Sequence, residues 1–256
     1  MRLVATLCVI AALLGSAPEA HARRHRRVAE VPQGPVFDHS AFDLILRESV
    51  RGGLVDYAHI RTARAHELDA YLARLSAADV TKLLRNERLA FYINLYNATM
   101  IRAVLDHNAP DWTPADDGGK VFDEPRVHLG DSTLSLNQLE KTILIRRFRE
   151  PRVHTALVCA ARSCPPLLPR AYRGRDLVRV LAANMKQFLA DTSFNKIDTA
   201  AHTLRLSPIF KWYADDFAGL GGVPAFAGRT LERNFAGWKL EYLDYDWKLN
   251  AQEGRR

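Results

Sequence analysis

The longest strongly periodic stretch of the chain lies between Ala77 and about His107, and it carries two residues that an apolar helix face does not tolerate unpaired. The spacing predicts one or two helices there, with Ala90, Ile93, Asn94, Asn97 and Ile101 on one face. A buried amide without a partner costs about 1–3 kcal/mol. Asn94 and Asn97 must therefore each bond something specific. Either they tie neighbouring segments to the helix, or they orient a catalytic group or hold a ligand carbonyl.

The remaining elements are shorter. Phe37 to about Arg51 has helical spacing and stops at Gly52-Gly53, and a second helix is expected around 63–76. Residues 110–120 read as loop. Residues 127–134 read as a hairpin turning at Gly130-Asp131. Ser135 and Gln138 form a capping box that opens a helix through about Phe148. Val153 to Ala160 is β-branched and small and reads as a buried strand. The three prolines within 163–169 then require a loop. A helix over 176–190 and a hairpin over 194–206 follow. Next come a helix opened by Ser207 and Pro208 and running to about Phe217, a short helix near 229–235, and strand-like pieces around 238–247. Helices outnumber strands without alternating with them. The expected class is α+β, a single mostly helical domain over 37–250 with a small, largely antiparallel sheet.

The N-terminus reads as a cleavable export signal over residues 1–22. Arg2 precedes the apolar run Leu3–Leu14, and Ala20-His21-Ala22 offers small residues for cleavage. The run is too short for a permanent span, which needs about 20 apolar residues. Residues 23–36 form a basic, proline-bearing, flexible lead-in, and 251–256 a tail. The net charge of +7 owes much to arginines at these two ends, which disfavours nucleic acid as a partner. It leaves a weak contact with anionic envelope surfaces through the tails. No membrane span and no cofactor are expected, and the site of action is periplasmic or secreted.

Chemistry concentrates in His154-Thr-Ala-Leu-Val-Cys159-Ala-Ala-Arg-Ser163-Cys164-Pro165. In an exported chain, two cysteines five residues apart give a small disulfide loop or one working thiol. They lack further ligands at finger-like spacing, so no metal site is expected. Strand alternation would turn Cys159 away from His154, while the proline loop frees Cys164 to approach it and leaves Cys164 the more exposed sulfur. A thiol beside an imidazolium is a nucleophile at neutral pH. Glu140 is then the candidate for orienting the histidine. Asn94, Asn97, Cys159 and Ser163 are the candidate binding residues.

Taken together, Phe91-Tyr-Ile-Asn94-Leu-Tyr-Asn97-Ala98, Leu134-Ser-Leu-Asn-Gln-Leu-Glu140 and the His154–Pro165 segment resemble the domain-of-unknown-function 547 family. Gly53-Leu-Val-Asp56-Tyr57, Phe210-x-Trp212-Tyr213-x-x-Asp216-Phe217 and Tyr245-Asp246-Trp247-x-Leu249-Asn250 extend the resemblance over roughly residues 40–250. Lys141 departs from it, since the family often has histidine there. The resemblance implies a fold and no agreed activity. Three readings follow. One is an envelope binding or scaffold domain with a polar cleft for a small-molecule or peptide ligand. Another is a cysteine-dependent hydrolase or acyl transferase using Cys164 and His154. The third is a thiol redox protein using Cys159 and Cys164.

Overall fold

A computed structural model describes residues 34–107 and 112–252. The export signal, nearly all of the basic lead-in, part of the 110–120 loop and most of the tail lie outside the described residues. Among the described residues, no helix is long and apolar enough to cross a membrane.

Helix α1 (Ser40–Ser49) buries Phe42, Ile45 and Leu46. It leads into a minimal antiparallel pair, β1 (Val50–Arg51) and β2 (Leu54–Val55). Gly52 and Gly53 make the turn with φ of +57° and +82°, values that glycine reaches without strain. Gly53 is needed for a second reason. A Cβ on it would lie 2.5 Å from Pro166 Cβ and 2.8 Å from Pro166 Cα, so the turn packs directly on the proline loop after Cys164.

Asp56 caps α2 (Tyr57–His59), accepting the His59 N–H at 2.9 Å. A π-helical stretch over Ile60–Arg64 carries the chain into α3 (Ala65–Ser76). The long periodic stretch becomes a short 3-10 turn, Val80–Lys82, and then α4 (Arg85–Asp106). From Leu89 to Leu105 every residue except Arg102 is buried. The sequence predicts one apolar face, but α4 is enclosed on all sides, by α3 and the elements that follow it. A helix with apolar residues around most of its circumference is a core helix.

The expected hairpin forms from β3 (Pro125–Leu129) and β4 (Ser132–Ser135), paired antiparallel. Both halves of the capping box are made: the Gln138 N–H donates to Ser135 Oγ at 3.1 Å, and the Ser135 N–H donates to Gln138 Oε1 at 2.8 Å. They open a continuous helical run of α5 (Leu136–Gln138), a π-helical segment Leu139–Ile145 and α6 (Arg146–Phe148).

The strand expected over 153–160 does not form. Residues Pro151–Thr155 make a 3-10 helix, and the chain then runs extended without a neighbouring strand. The β-branched residues Val153, Thr155 and Val158 favour an extended backbone, but a ladder needs a partner, and here side chains take that part. The next helix, α7 (Leu177–Ala190), matches expectation. It spans two apolar clusters, giving Leu177, Val180 and Leu181 to the larger one around α4. Met185, Phe188 and Leu189 go to a smaller one with Leu204, Phe210 and Phe217.

Among the described residues, sheet structure is distributed over three small sheets. In the third, β5 (Lys196–Asp198) pairs antiparallel with β6 (Thr203–Leu206), and β7 (Lys239–Tyr242) adds to β6 in parallel. The helix expected from Pro208 to Phe217 is broken into α8 (Ile209–Trp212) and a 3-10 segment, Ala214–Leu220. The last helix, α9 (Gly222–Leu231), starts ahead of the 229–235 expectation. The fold is α+β and mostly helical.

Candidate functional site

Asn94 and Asn97 use both ends of their amides on backbone. Asn94 Nδ2 donates to Tyr172 O at 2.8 Å, and its Oδ1 accepts the Tyr172 N–H at 2.9 Å. Asn97 Nδ2 donates to Ala156 O at 2.8 Å and its Oδ1 accepts the Val158 N–H at 2.9 Å. Each amide stands in for a missing strand neighbour, and both residues are almost wholly buried. They line no cleft. Their work is to fix the extended chain on either side of the cysteine loop, which places His154 and Cys159.

His154 is buried at the end of the 3-10 helix, and its Nε2 lies 2.8 Å from Asp216 Oδ2. The Tyr213 ring stacks on the imidazole with centroids 3.9 Å apart and planes 23° from parallel. The Tyr213 hydroxyl donates to Glu140 Oε1. The Tyr96 phenol also reaches Glu140. Burial first, and the Glu140 carboxylate second, push the phenols of Tyr96, Tyr213 and Tyr245 above their ordinary range. All three phenols therefore stay protonated near one buried acid, to which Tyr213 donates. Glu140 sits in the π-helical segment, a distortion that often marks functional positions. It does not pair with His154, whose partner is Asp216.

Cys159 and Cys164 form a disulfide with Cα atoms 6.1 Å apart, inside the ordinary range for such bridges. The expected order of exposure is reversed: Cys164 is buried and Cys159 is half-buried. The alternation argument failed because there is no strand to alternate. The Cys159 N–H donates to Cys164 Sγ at 2.8 Å, and the Tyr245 hydroxyl lies 3.1 Å from Cys159 Sγ. A bridged sulfur carries no proton, so the phenol is the donor. Ser163 is not in the cleft. Its Oγ accepts the Asp246 N–H at 2.8 Å and its N–H donates to Asp246 O at 3.1 Å, which ties the cysteine loop to the chain's last segment.

These groups surround one cleft of about 190 Å³, lined by His154, Glu140, both cysteines and an aromatic rim of Trp212, Tyr245 and Trp247. Trp212 is 49% exposed, with its ring centroid 4.8 Å from Tyr245 and 6.0 Å from Trp247. The cleft lies where the two apolar clusters meet, with Leu157 from one and Ile209 from the other. Among the described residues no three His, Cys, Asp or Glu side chains group closely enough to hold a metal ion.

Of the candidate residues read from the sequence, Cys164, His154 and Glu140 line this cleft together with Cys159, which was expected to face away from His154, while Asn94, Asn97 and Ser163 do not. Sequence reasoning assigned no role to Asp216, Tyr213, Tyr245, Trp212 or Trp247. One signal was available: Tyr213 and Asp216 are three apart and so share a face within a helical segment.

Nothing among curated proteins and nothing among solved structures matches the chain. A family model does match, described as "Protein of unknown function, DUF547", over residues 80–189. That span runs from the turn before α4 almost to the end of α7 and holds every candidate residue that the sequence supplied. The chain resembles the DUF547 family over that span, which includes the segments that build the clamps, the buried acid and the cysteine loop.

Proposed function

We propose that the chain works outside the cytoplasm as a binding domain of the cell envelope, holding a small-molecule or peptide ligand in the cleft between the two apolar clusters. The observation that carries this is the cleft's lining. Rings at the rim offer apolar contact and stacking, while Glu140, His154 and the phenols below supply a few fixed polar groups. A concave, mostly apolar site with a small number of oriented polar groups is the usual form of a ligand pocket. The apolar run and Ala20-His21-Ala22 support export. A disulfide supports it too, since bridges persist in oxidising compartments.

The acyl-transfer reading ranks below this one. A bridged Cys164 has no thiolate with which to attack a carbonyl. Iodoacetamide treatment of native, unreduced protein tests the choice, and neither cysteine is expected to label. Labelling at Cys164 would restore the nucleophile and displace the binding reading. Titration of envelope-derived small molecules and peptides, followed by tryptophan fluorescence, should report ligand at Trp212 and Trp247. A Trp212→Ala variant should weaken that binding.

A further inference from the structure

We propose that the Cys159–Cys164 bridge is itself reactive, and that a low-molecular-weight thiol entering the cleft exchanges with it at Cys159. The proposal goes beyond the binding reading and shares with it only that solvent and small solutes enter the cleft.

A purely structural bridge should hold something that would otherwise come loose. Here the enclosed loop is already held by other bonds. The Arg162 N–H donates to Lys248 O at 2.7 Å, the Ser163 N–H to Asp246 O at 3.1 Å, and the Asn250 N–H to Ala160 O at 2.9 Å. The Ser163 hydroxyl accepts the Asp246 N–H as a fourth tie. The Cys164 N–H turns back to Ala161 O at 3.1 Å. The bridge also spans only five positions, and short loops gain least from closure. Within this loop Ala160 is held at φ +63°, a left-handed conformation that strains a residue with a Cβ. Such strain persists only where the surroundings impose it and tends to gather at functional sites.

The two sulfurs are unequal in the way exchange requires. Both cysteines line the cleft, but Cys159 is half-buried and Cys164 buried, so an incoming thiolate has the easier approach to Cys159. Attack by the thiolate forms a new S–S bond to Cys159 and breaks the bond to Cys164. The electron pair leaves on Cys164 Sγ, which the Cys159 N–H already faces at 2.8 Å. A donated hydrogen bond stabilises that leaving thiolate before solvent protonates it. One disulfide replaces another, so no external oxidant is consumed.

The test is incubation of the folded full-length protein with millimolar reduced glutathione and no denaturant, followed by acid trapping and peptide mass spectrometry. The expected product is a glutathione adduct on Cys159. A bridge that reacts only after unfolding, or an adduct on Cys164, would overturn the proposal. In the converse arm, oxidised glutathione should modify Cys164→Ser, which keeps Cys159, about tenfold or more faster than Cys159→Ser, because access sets the rate. Equal rates would also overturn it. Should either variant fail to fold, the native-protein arm still decides. An inert bridge with ligand binding intact would sink this proposal alone. Exchange without any ligand response would sink the binding reading alone.

Discussion

Two groups of buried or partly buried polar side chains in this fold satisfy their hydrogen bonds in opposite ways. Asn94 and Asn97 on α4 spend every amide bond on backbone, at Tyr172, Ala156 and Val158. Glu140, Tyr213, His154 and Asp216 bond or stack on one another, side chain to side chain, along the wall of a cleft. The difference separates scaffold from site. A side chain that completes a backbone ladder is committed to one geometry, and it cannot turn to a ligand without releasing the backbone it holds. Side chains paired with each other can exchange a partner for an incoming group at small cost to the fold.

That contrast predicts its largest effect at Asn97. Replacing it with Ala strips a donor from Ala156 O and an acceptor from the Val158 N–H, both buried. At about 1–3 kcal/mol for each unsatisfied group, the expected loss is about 2–6 kcal/mol, a large share of a typical domain's stability. Asn97→Asp should rescue little, since it keeps the acceptor but sets a charged oxygen against Ala156 O. Urea denaturation reads both. A loss below about 1 kcal/mol would show that the segment beside His154 does not depend on the clamp.

His39 lies between the two groups in kind, being buried with one ring nitrogen paired and one not. Its Nδ1 is 2.7 Å from the Tyr71 hydroxyl, while Nε2 has no partner among the described residues. Burial first, and the Arg173 charge second, lower its pKa from 6.5 to about 4; Arg74 lowers it further, against Asp38 and Asp43, which raise it. The unfolded chain therefore binds a proton that the folded chain refuses between those values. Stability from this group is fully present above pH 6.5 and is lost as pH falls towards 4. The loss is on the order of 3 kcal/mol. A His39→Gln variant should lack that part of the acid sensitivity. Denaturation midpoints of the two proteins across this window provide the check, and parallel curves would count against it.

What the sequence disclosed follows from the same contrast. An asparagine in an apolar helical stripe announces that it must bond something specific, so the burial and bonding of Asn94 and Asn97 were legible, though not that backbone would be the partner of both. The capping box over Ser135 and Gln138 was legible because both bonds are local. The partner of His154 was not, since Asp216 lies 62 positions away and only the tertiary fold joins them. The strand over 153–160 was misread because propensity reports extended backbone, not what bonds to it. That error also reversed the two cysteines. The break between α8 and the next 3-10 segment, which turns the Tyr213 ring onto His154, has no comparable local signal.

The smallest effect on stability is expected at the cleft, from Tyr213→Phe. The ring that stacks on His154 is kept, and only the hydroxyl bond to Glu140 is lost. Tyr96 still reaches that carboxylate, so the acid is not left without a donor. A single hydrogen bond is worth about 0.5–1.5 kcal/mol net, and with a remaining donor the loss should fall at or below the low end. Tyr213→Leu removes the stacked ring as well and should cost more, so the pair separates packing from bonding. Urea denaturation beside ligand titration by tryptophan fluorescence tests both halves of the argument. Tyr213→Phe should leave the denaturation midpoint nearly unchanged while altering the ligand response of the rim. Should it instead destabilise the protein as much as Asn97→Ala, Glu140 and Tyr213 would belong to the scaffold, and the division between clamp and cleft would fail.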